Sequence, residues 1–177
     1  LEILKLNNAY EIQGQYFSFL PPVTSPHLTW IKGDLSPESL QSFIKDVDIV
    51  IHCAAVISID GDPYGKVHNT NVIGTQNVVD ACLTNKVQRL LHISSTHALQ
   101  EYPHNEPFDE TRPYKTAANL AYDFSKAQGE QIVLEAVNTR GLDAVILRPA
   151  SLLGPPDYQL SLLGKAVRQF SRGELPA

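Results

Sequence analysis

The segment Val47-Asp48-Ile49-Val50-Ile51-His52-Cys53 is nearly all apolar and β-branched. A run like this has no polar face to turn to water. It predicts a strand buried on both faces, the habit of a parallel sheet. Arg89-Leu90-Leu91-His92-Ile93-Ser94 is a second buried strand, Leu142 to Leu147 another, and Leu28 to Ile31 a shorter one. Helical spacings lie between them. At Ser36-Pro37-Glu38-Ser39 a helix starts, with Ser36 as N-cap and Pro37 first inside, and Leu40, Phe43 and Ile44 form its apolar face. Residues 65 to 84 set Val67, Val72, Val78, Val79 and Cys82 at helical spacing. Residues 118 to 139 form the next helix, stopped by Gly141, and Tyr158 to Ser171 one more. Upstream, Leu1 to Leu6 and Tyr16 to Leu20 read as short strands broken by Asn7-Asn8, Gly14 and Pro21-Pro22. Alternation of this kind predicts βαβ units and an α/β fold with a doubly wound, mostly parallel sheet.

Composition narrows the function classes. At 177 residues, 43% apolar and 19% charged, the chain has the make-up of one globular domain rather than a disordered segment. The net charge is −5 and no basic run is present, which argues against a nucleic-acid partner. No apolar stretch approaches the roughly 20 residues that span a bilayer, and Leu1-Glu2-Ile3-Leu4-Lys5 does not start a signal peptide. Cys53 and Cys82 each lie in an apolar stretch, which predicts two buried thiols and a reducing, cytoplasmic location. The chain contains no Met, so it reads as a piece or processed form of something longer.

Ligands of parallel α/β sheets bind beyond the carboxyl ends of the strands. His52-Cys53-Ala54-Ala55, Ser94-Ser95-Thr96-His97 and Arg148-Pro149-Ala150-Ser151 all sit at such ends, and their small residues let a flat ligand approach the backbone. Small residues also simply ease tight turns. The sharper constellation is Tyr122-Asp123-Phe124-Ser125-Lys126. Tyr122 and Lys126 share a helix face, about 6 Å apart along the axis. An ammonium beside a phenol favours the phenolate and fits it for proton transfer. Ser95, at a strand end, could bind the same substrate oxygen. The spacing alone also fits a solvated helix face. His27, His52, His68, His92, His97 and His104 contain no His-x-x-x-His pair, so no metal site is predicted. His52 and His92 are expected to be buried and hydrogen-bonded, and Cys53 to remain a protonated thiol. Glu106, Asp109 and Glu110 predict a solvated loop.

From Trp30 to about Asp157 the chain resembles the extended short-chain dehydrogenase/reductases. The branch it is most similar to holds NAD(P)-dependent epimerases, 3β-hydroxysteroid dehydrogenases and dihydroflavonol-reductase-like enzymes. The resemblance rests on an ordered set of segments: Gly33-Asp34-Leu35; Val50 to Ala55; Asn71-Val72-Ile73-Gly74-Thr75-Gln76-Asn77; Ile93 to Thr96; Asp109-Glu110-Thr111; Tyr122 to Lys126; and Leu147-Arg148-Pro149 through Gly154-Pro155. It implies a Rossmann-like domain, NAD or NADP as cofactor, and hydride transfer at a carbon bearing oxygen. Tyr122 is then the acid/base, Lys126 lowers its pKa and binds the nicotinamide ribose, and Ser95 orients the substrate oxygen. Asp34 and Leu35 would frame the adenine, Ala54 and Ala55 the inner half of the dinucleotide, and Asn71 would approach it. Pro149 and Leu152 would also meet the cofactor, and Thr96 and Ser151 the substrate.

The same resemblance implies a small-molecule substrate and allows a homodimer. It makes residues 1–177 a single, partial NAD(P)-binding domain whose C-terminal substrate lobe is largely absent. The family's opening Gly-x-x-Gly-x-x-Gly turn has no counterpart here, so weak cofactor binding is expected of this chain. The rival expectation is a dinucleotide-binding scaffold without turnover. Retention of Tyr122, Lys126 and Ser95 favours the enzyme.

Overall fold

A computed structural model describes residues 9–154, 157–158 and 161–174. Strands β1 (Ile12–Tyr16) and β2 (Leu28–Lys32) form one parallel pair, with Ile12 opposite Leu28. Strands β3 (Ile49–His52), β4 (Arg89–Ile93) and β5 (Ala144–Leu147) form a second parallel sheet in that order. The expected parallel architecture is present, divided into two sheets among the described residues. The segment expected as a strand at Tyr16 to Leu20 pairs earlier, so Tyr16 ends β1. The one expected at Leu1 to Leu6 lies outside the described residues.

Gly14, read as a strand breaker, lies in the middle of β1 opposite Trp30. A Cβ there would stand 2.4 Å from the indole ring, so glycine is the residue that lets Trp30 lie across its neighbour. The indole Nε1–H donates to Val23 O at 2.8 Å. Gly14→Ala should displace this ring and cost about 1–3 kcal/mol. Trp30 is the only tryptophan, so its fluorescence reports the change directly. An unshifted emission maximum at wild-type stability would count against the packing argument.

Helix α1 (Pro37–Phe43) starts as expected, with the Ser36 side chain accepting from the Ser39 N–H. It sends Leu40 into the core, and Ile44 is its C-cap. The segment expected as one helix over 65–84 is continuous but changes winding. After α2 (Lys66–His68) comes a π-helical turn, Asn69–Ile73, and then α3 (Gly74–Thr84). Helix α4 (Ala121–Arg140) follows β4, and Gly141 closes it at φ 73. Helix α5 (Leu162–Ser171) lies near the end of the described chain.

The core joins α1, α3, α4 and one face of the three-stranded sheet. Leu40, Ile44, Val79, Cys82, Leu90 and Val133 are at its centre. The strands are not buried on both faces as their composition predicts. Ile49, Ile51, Val145 and Leu147 are 40–49% exposed, because the helices packed on these strands cover the alternate residues. Cys82 is buried as expected, but Cys53 is exposed just beyond β3. No described helix is long and apolar enough to cross a membrane.

Candidate active site

The carboxyl ends of β3, β4 and β5 meet the start of α4. Behind β3, Cys53, Ala54 and Ala55 are exposed, and the next residue, Val56, is fixed. Its N–H donates to Asn71 Oδ1 at 2.7 Å, and Asn71 Nδ2 donates to Val56 O at 2.9 Å. Asn71 Nδ2 also donates to Ser125 Oγ at 2.9 Å, and Ser125 Oγ to Tyr122 O at 2.7 Å. The π-helical turn carries Asn71, a local winding often found at functional sites. Expected as a cofactor contact, this side chain is instead occupied by protein groups. It ties the backbone just after Ala54–Ala55 to the first turns of α4 through Ser125.

Behind β4, Ser94 and Ser95 are buried. Ser95 Oγ accepts the His97 N–H at 3.2 Å and starts a 3₁₀ turn, Thr96–Ala98. The Thr96 N–H donates to Pro149 O at 3.3 Å, and the Ser94 N–H to Leu147 O at 2.8 Å, which ties the β4 and β5 ends together. Lys126 reaches the same place from α4 and donates from Nζ to Ile93 O at 2.8 Å. Ser95, Thr96, Tyr122, Lys126 and Pro149 thus gather at the carboxyl ends of β4 and β5, and Ala54 and Ala55 follow the neighbouring β3. Ser151 and Leu152 are exposed further along the segment after β5. Asp34 and Leu35 lie apart, after β2. There an open groove of about 550 Å³ is lined by Phe17, Lys32, Gly33 and Asp34.

The electrostatics depart from expectation at one point. Desolvation raises the Tyr122 phenol above its ordinary pKa, with the Ser95 hydroxyl opposing the rise. The Lys126 ammonium turns to Ile93 O instead of lowering the phenol. Its own pKa is lowered, chiefly by desolvation. Only one of its three N–H donors has an acceptor among the described residues, although the residue is 5% exposed. Unused donors on a nearly buried ammonium fit a ligand bearing hydroxyls, such as a nucleotide ribose. Exposed Ala54 and Ala55 fit the close approach of a flat dinucleotide.

Desolvation also raises Cys53, consistent with a protonated thiol. His52 is buried, and its ring Nε2 lies 3.0 Å from Thr75 Oγ1. His92 is equally buried, but neither ring nitrogen has a partner among the described residues. The strand register places it opposite His52, ring centroids 5.4 Å apart. Its ring faces Gly129, whose missing Cβ would lie 3.7 Å from Nε2. The expectation that His92 is hydrogen-bonded is therefore not met.

Two further groups add to the site: Glu130, which the sequence reading leaves out, and His97, which it names only in a strand-end segment and among the histidines. Glu130, fully buried, accepts from Arg148 Nε at 3.0 Å and Nη2 at 2.6 Å, and from the Tyr114 hydroxyl at 3.0 Å. This network locks α4 to the residue before Pro149. Its signal was Glu130 one helical turn beyond Lys126. The second is His97, whose Nδ1 lies 3.1 Å from Asp123 Oδ1. Its signal was a histidine just past the Ser94-Ser95 strand end. Glu106, Asp109 and Glu110 are exposed, as expected of a solvated loop. Among the described residues no three metal-binding side chains cluster.

This parallel α/β scaffold has known relatives. The chain belongs to the NAD dependent epimerase/dehydratase family, whose sequence profile matches residues 11–176. It is 37% identical over 134 residues to a 2-alkyl-3-oxoalkanoate reductase of Stenotrophomonas maltophilia, covering 73% of this chain and 40% of that protein. It is 37% identical over 135 residues to a decarboxylating sterol-4-alpha-carboxylate 3-dehydrogenase of Saccharomyces cerevisiae, covering 73% and 38%. Among solved structures, the Bordetella bronchiseptica enzyme WbmH in complex with NAD+ superposes with a TM-score of 0.81. The identity is 26%, over 98% of this chain and 58% of that one. The fold is thus Rossmann-like. The chain spans less than half the length of the curated relatives it matches.

Proposed function

We propose that this chain is the cofactor-binding and proton-transferring part of an NAD(P)-dependent oxidoreductase or epimerase acting on a secondary alcohol or ketone. The observation that carries the reading is the gathering of Ser95, Tyr122 and Lys126 at the carboxyl end of β4, where Lys126 Nζ donates to Ile93 O and the Ser95 hydroxyl hydrogen-bonds the Tyr122 phenol. The bound nicotinamide would accept or supply the hydride. Tyr122 gives a proton to the substrate oxygen in reduction and takes one in oxidation. Ser95 holds the same oxygen in line. Lys126 binds the ribose through its unused donors, and the groove at Asp34, with Leu35 next to it in the chain, takes the adenine. Pro149 and Leu152 flank the nicotinamide, and Thr96 and Ser151 face the substrate. The two curated relatives are named for 3-oxo or 3-hydroxy chemistry, so a ketone of that kind is the substrate class to try first.

The test is a titration of NADH and NADPH fluorescence on the full chain and on Lys126→Met, followed by an assay with a 3-oxo ketone. Lys126→Met should weaken dinucleotide binding roughly 10- to 100-fold, since a buried charge-assisted hydrogen bond is worth about 1.5–3 kcal/mol. Equal affinity in both proteins would remove Lys126 from the cofactor site. Failure of either reduced dinucleotide to be oxidised by any 3-oxo ketone would sink the oxidoreductase reading.

A further inference from the structure

Tyr122, Lys126 and Glu130 follow one another at four-residue steps along α4, so they share one helix face. Glu130 is the most buried of them, and its carboxylate joins two other segments to the helix. From the segment after β5, Arg148 Nε donates to Oε1 and Oε2 at 3.0 Å each, and Nη2 to Oε2 at 2.6 Å. From the segment before α4, the Tyr114 hydroxyl donates to Oε2 at 3.0 Å and accepts from Arg148 Nη2 at 3.4 Å. Desolvation and the Glu130 charge hold the Tyr114 phenol above its ordinary pKa, so it stays protonated and donating. Tyr114 in turn faces Leu99 in an antiparallel bridge, just past the 3₁₀ turn that Ser95 starts. Arg148 is the residue before Pro149. Pro149 has no backbone N–H to fix it, and its carbonyl accepts the Thr96 N–H at 3.3 Å, a long bond. A planar guanidinium gripped through both Nε and Nη2 has a set direction. It therefore fixes how the chain leaves β5 toward Pro149.

We propose that Glu130 is a positioning residue of the site, setting the Pro149 backbone through Arg148 for the nicotinamide end of a dinucleotide. The proposal rests on the reading of Pro149 as a neighbour of the nicotinamide. Glu130 is fully buried and touches neither cofactor nor substrate. It acts through the guanidinium alone, and the Tyr114 hydroxyl keeps the carboxylate in place. Its effect should fall on the nicotinamide end. The adenine end, at the Asp34 groove, and the ribose, at Lys126, should not feel it. ADP-ribose separates the two ends, because it carries the adenine, the phosphates and the riboses but no nicotinamide.

The experiment titrates the full chain with NADH, followed by fluorescence, and with ADP-ribose, followed by calorimetry. Two variants are compared with wild type. Arg148→Lys keeps the positive charge but loses the planar fork that grips Glu130. Glu130→Gln combined with Arg148→Met removes both charges together, so no buried ion is left unpaired and the net charge beside Lys126 is unchanged. Each variant should weaken NADH binding roughly 2- to 10-fold, the worth of one ordinary hydrogen bond. Each should leave ADP-ribose affinity and circular dichroism as in wild type. Where the paired variant does not fold, Arg148→Lys decides. An equal loss of both ligands is what a merely structural ion pair would give, and it overturns the proposal, as does no loss of either. Both of these outcomes leave the oxidoreductase reading standing, since wild type still binds NADH. Wild-type protein that does not bind NADH overturns the proposal together with the reading it rests on.

Discussion

Tyr122→Phe is expected to lower kcat by roughly 10²–10⁴-fold, the range that a positioned acid/base supplies, with little change in dinucleotide affinity. The phenol hydroxyl is the only group removed. The ring stays, and Lys126 keeps its bond to Ile93 O. Desolvation holds the Tyr122 pKa above its ordinary value, so at neutral pH the hydroxyl is protonated. This state suits donation to a carbonyl oxygen. Reduction should therefore be flat through neutral pH and fall on the basic side, while oxidation, which needs the phenolate, should rise there. A bound nicotinamide that pulls Lys126 toward the phenol would move both limbs to lower pH. Tyr122→Phe should abolish the limbs as well as the rate. Steady-state kinetics in both directions from pH 6 to 10 make the measurement. Retention of more than about a tenth of wild-type kcat would exclude Tyr122 as the acid/base.

The positions of the residues proposed for this chemistry were legible because they follow from local rules. Ser36 and Pro37 start α1 as the capping preferences require, and Gly141 ends α4 in the left-handed region. A strand that runs into Ser94-Ser95 and a Tyr-x-x-x-Lys on the following helix leave little freedom in where the two meet. What escaped the sequence depends on contacts distant along the chain. Gly14 reads as a break until Trp30 is seen lying over it from the neighbouring strand. The π-helical turn has the same apolar spacing as an α-helix, so nothing local marks it. The Asn71 side chain could face a ligand or Val56, and only the folded backbone decides for Val56. The Tyr122–Lys126 spacing fixed a shared helix face but not the direction of the ammonium, which Ile93 O captures. The exposed face at Ile49, Ile51, Val145 and Leu147 shows the limit of reading burial from composition. β-branched residues report a strand, whereas coverage depends on which elements pack against it.

Stability should fall steeply as the pH drops below 6.5, driven by the two stacked histidines. Burial pushes the His52 imidazole down to about 4. Burial, with the neighbouring His52 and Lys126 charges, pushes His92 down to about 3. Between those values and 6.5 the unfolded chain takes up protons that the folded chain refuses. Their stabilising effect is therefore full above the unfolded pKa and is lost progressively as the pH falls through this window. Shifts of this size amount to about 3 kcal/mol for His52 and about 5 kcal/mol for His92. Whole domains have a margin of only about 5–15 kcal/mol, so a loss of this size takes a large part of it.

The carboxylates do not account for this window. Asp34, Asp62, Asp109 and Asp143 are lowered from 3.8 and Glu101 from 4.5, so their contributions are lost at lower pH. His92→Leu isolates the effect, because neither His92 nitrogen has a partner to orphan. It should leave stability at pH 7 unchanged or raised by about 1 kcal/mol and remove about half of the slope between pH 6.5 and 4.5. His52→Leu should flatten the slope too, but at a cost of about 1 kcal/mol at pH 7, since Thr75 Oγ1 loses one of its two hydrogen bonds and keeps only the one it donates to Asn71 O. Urea unfolding of the three proteins at half-unit pH steps, followed by Trp30 fluorescence, makes the comparison. The same slope in wild type and His92→Leu would show that His92 titrates normally in the folded chain. Its ring would then have to be reached by water, against the burial seen between β4 and Gly129.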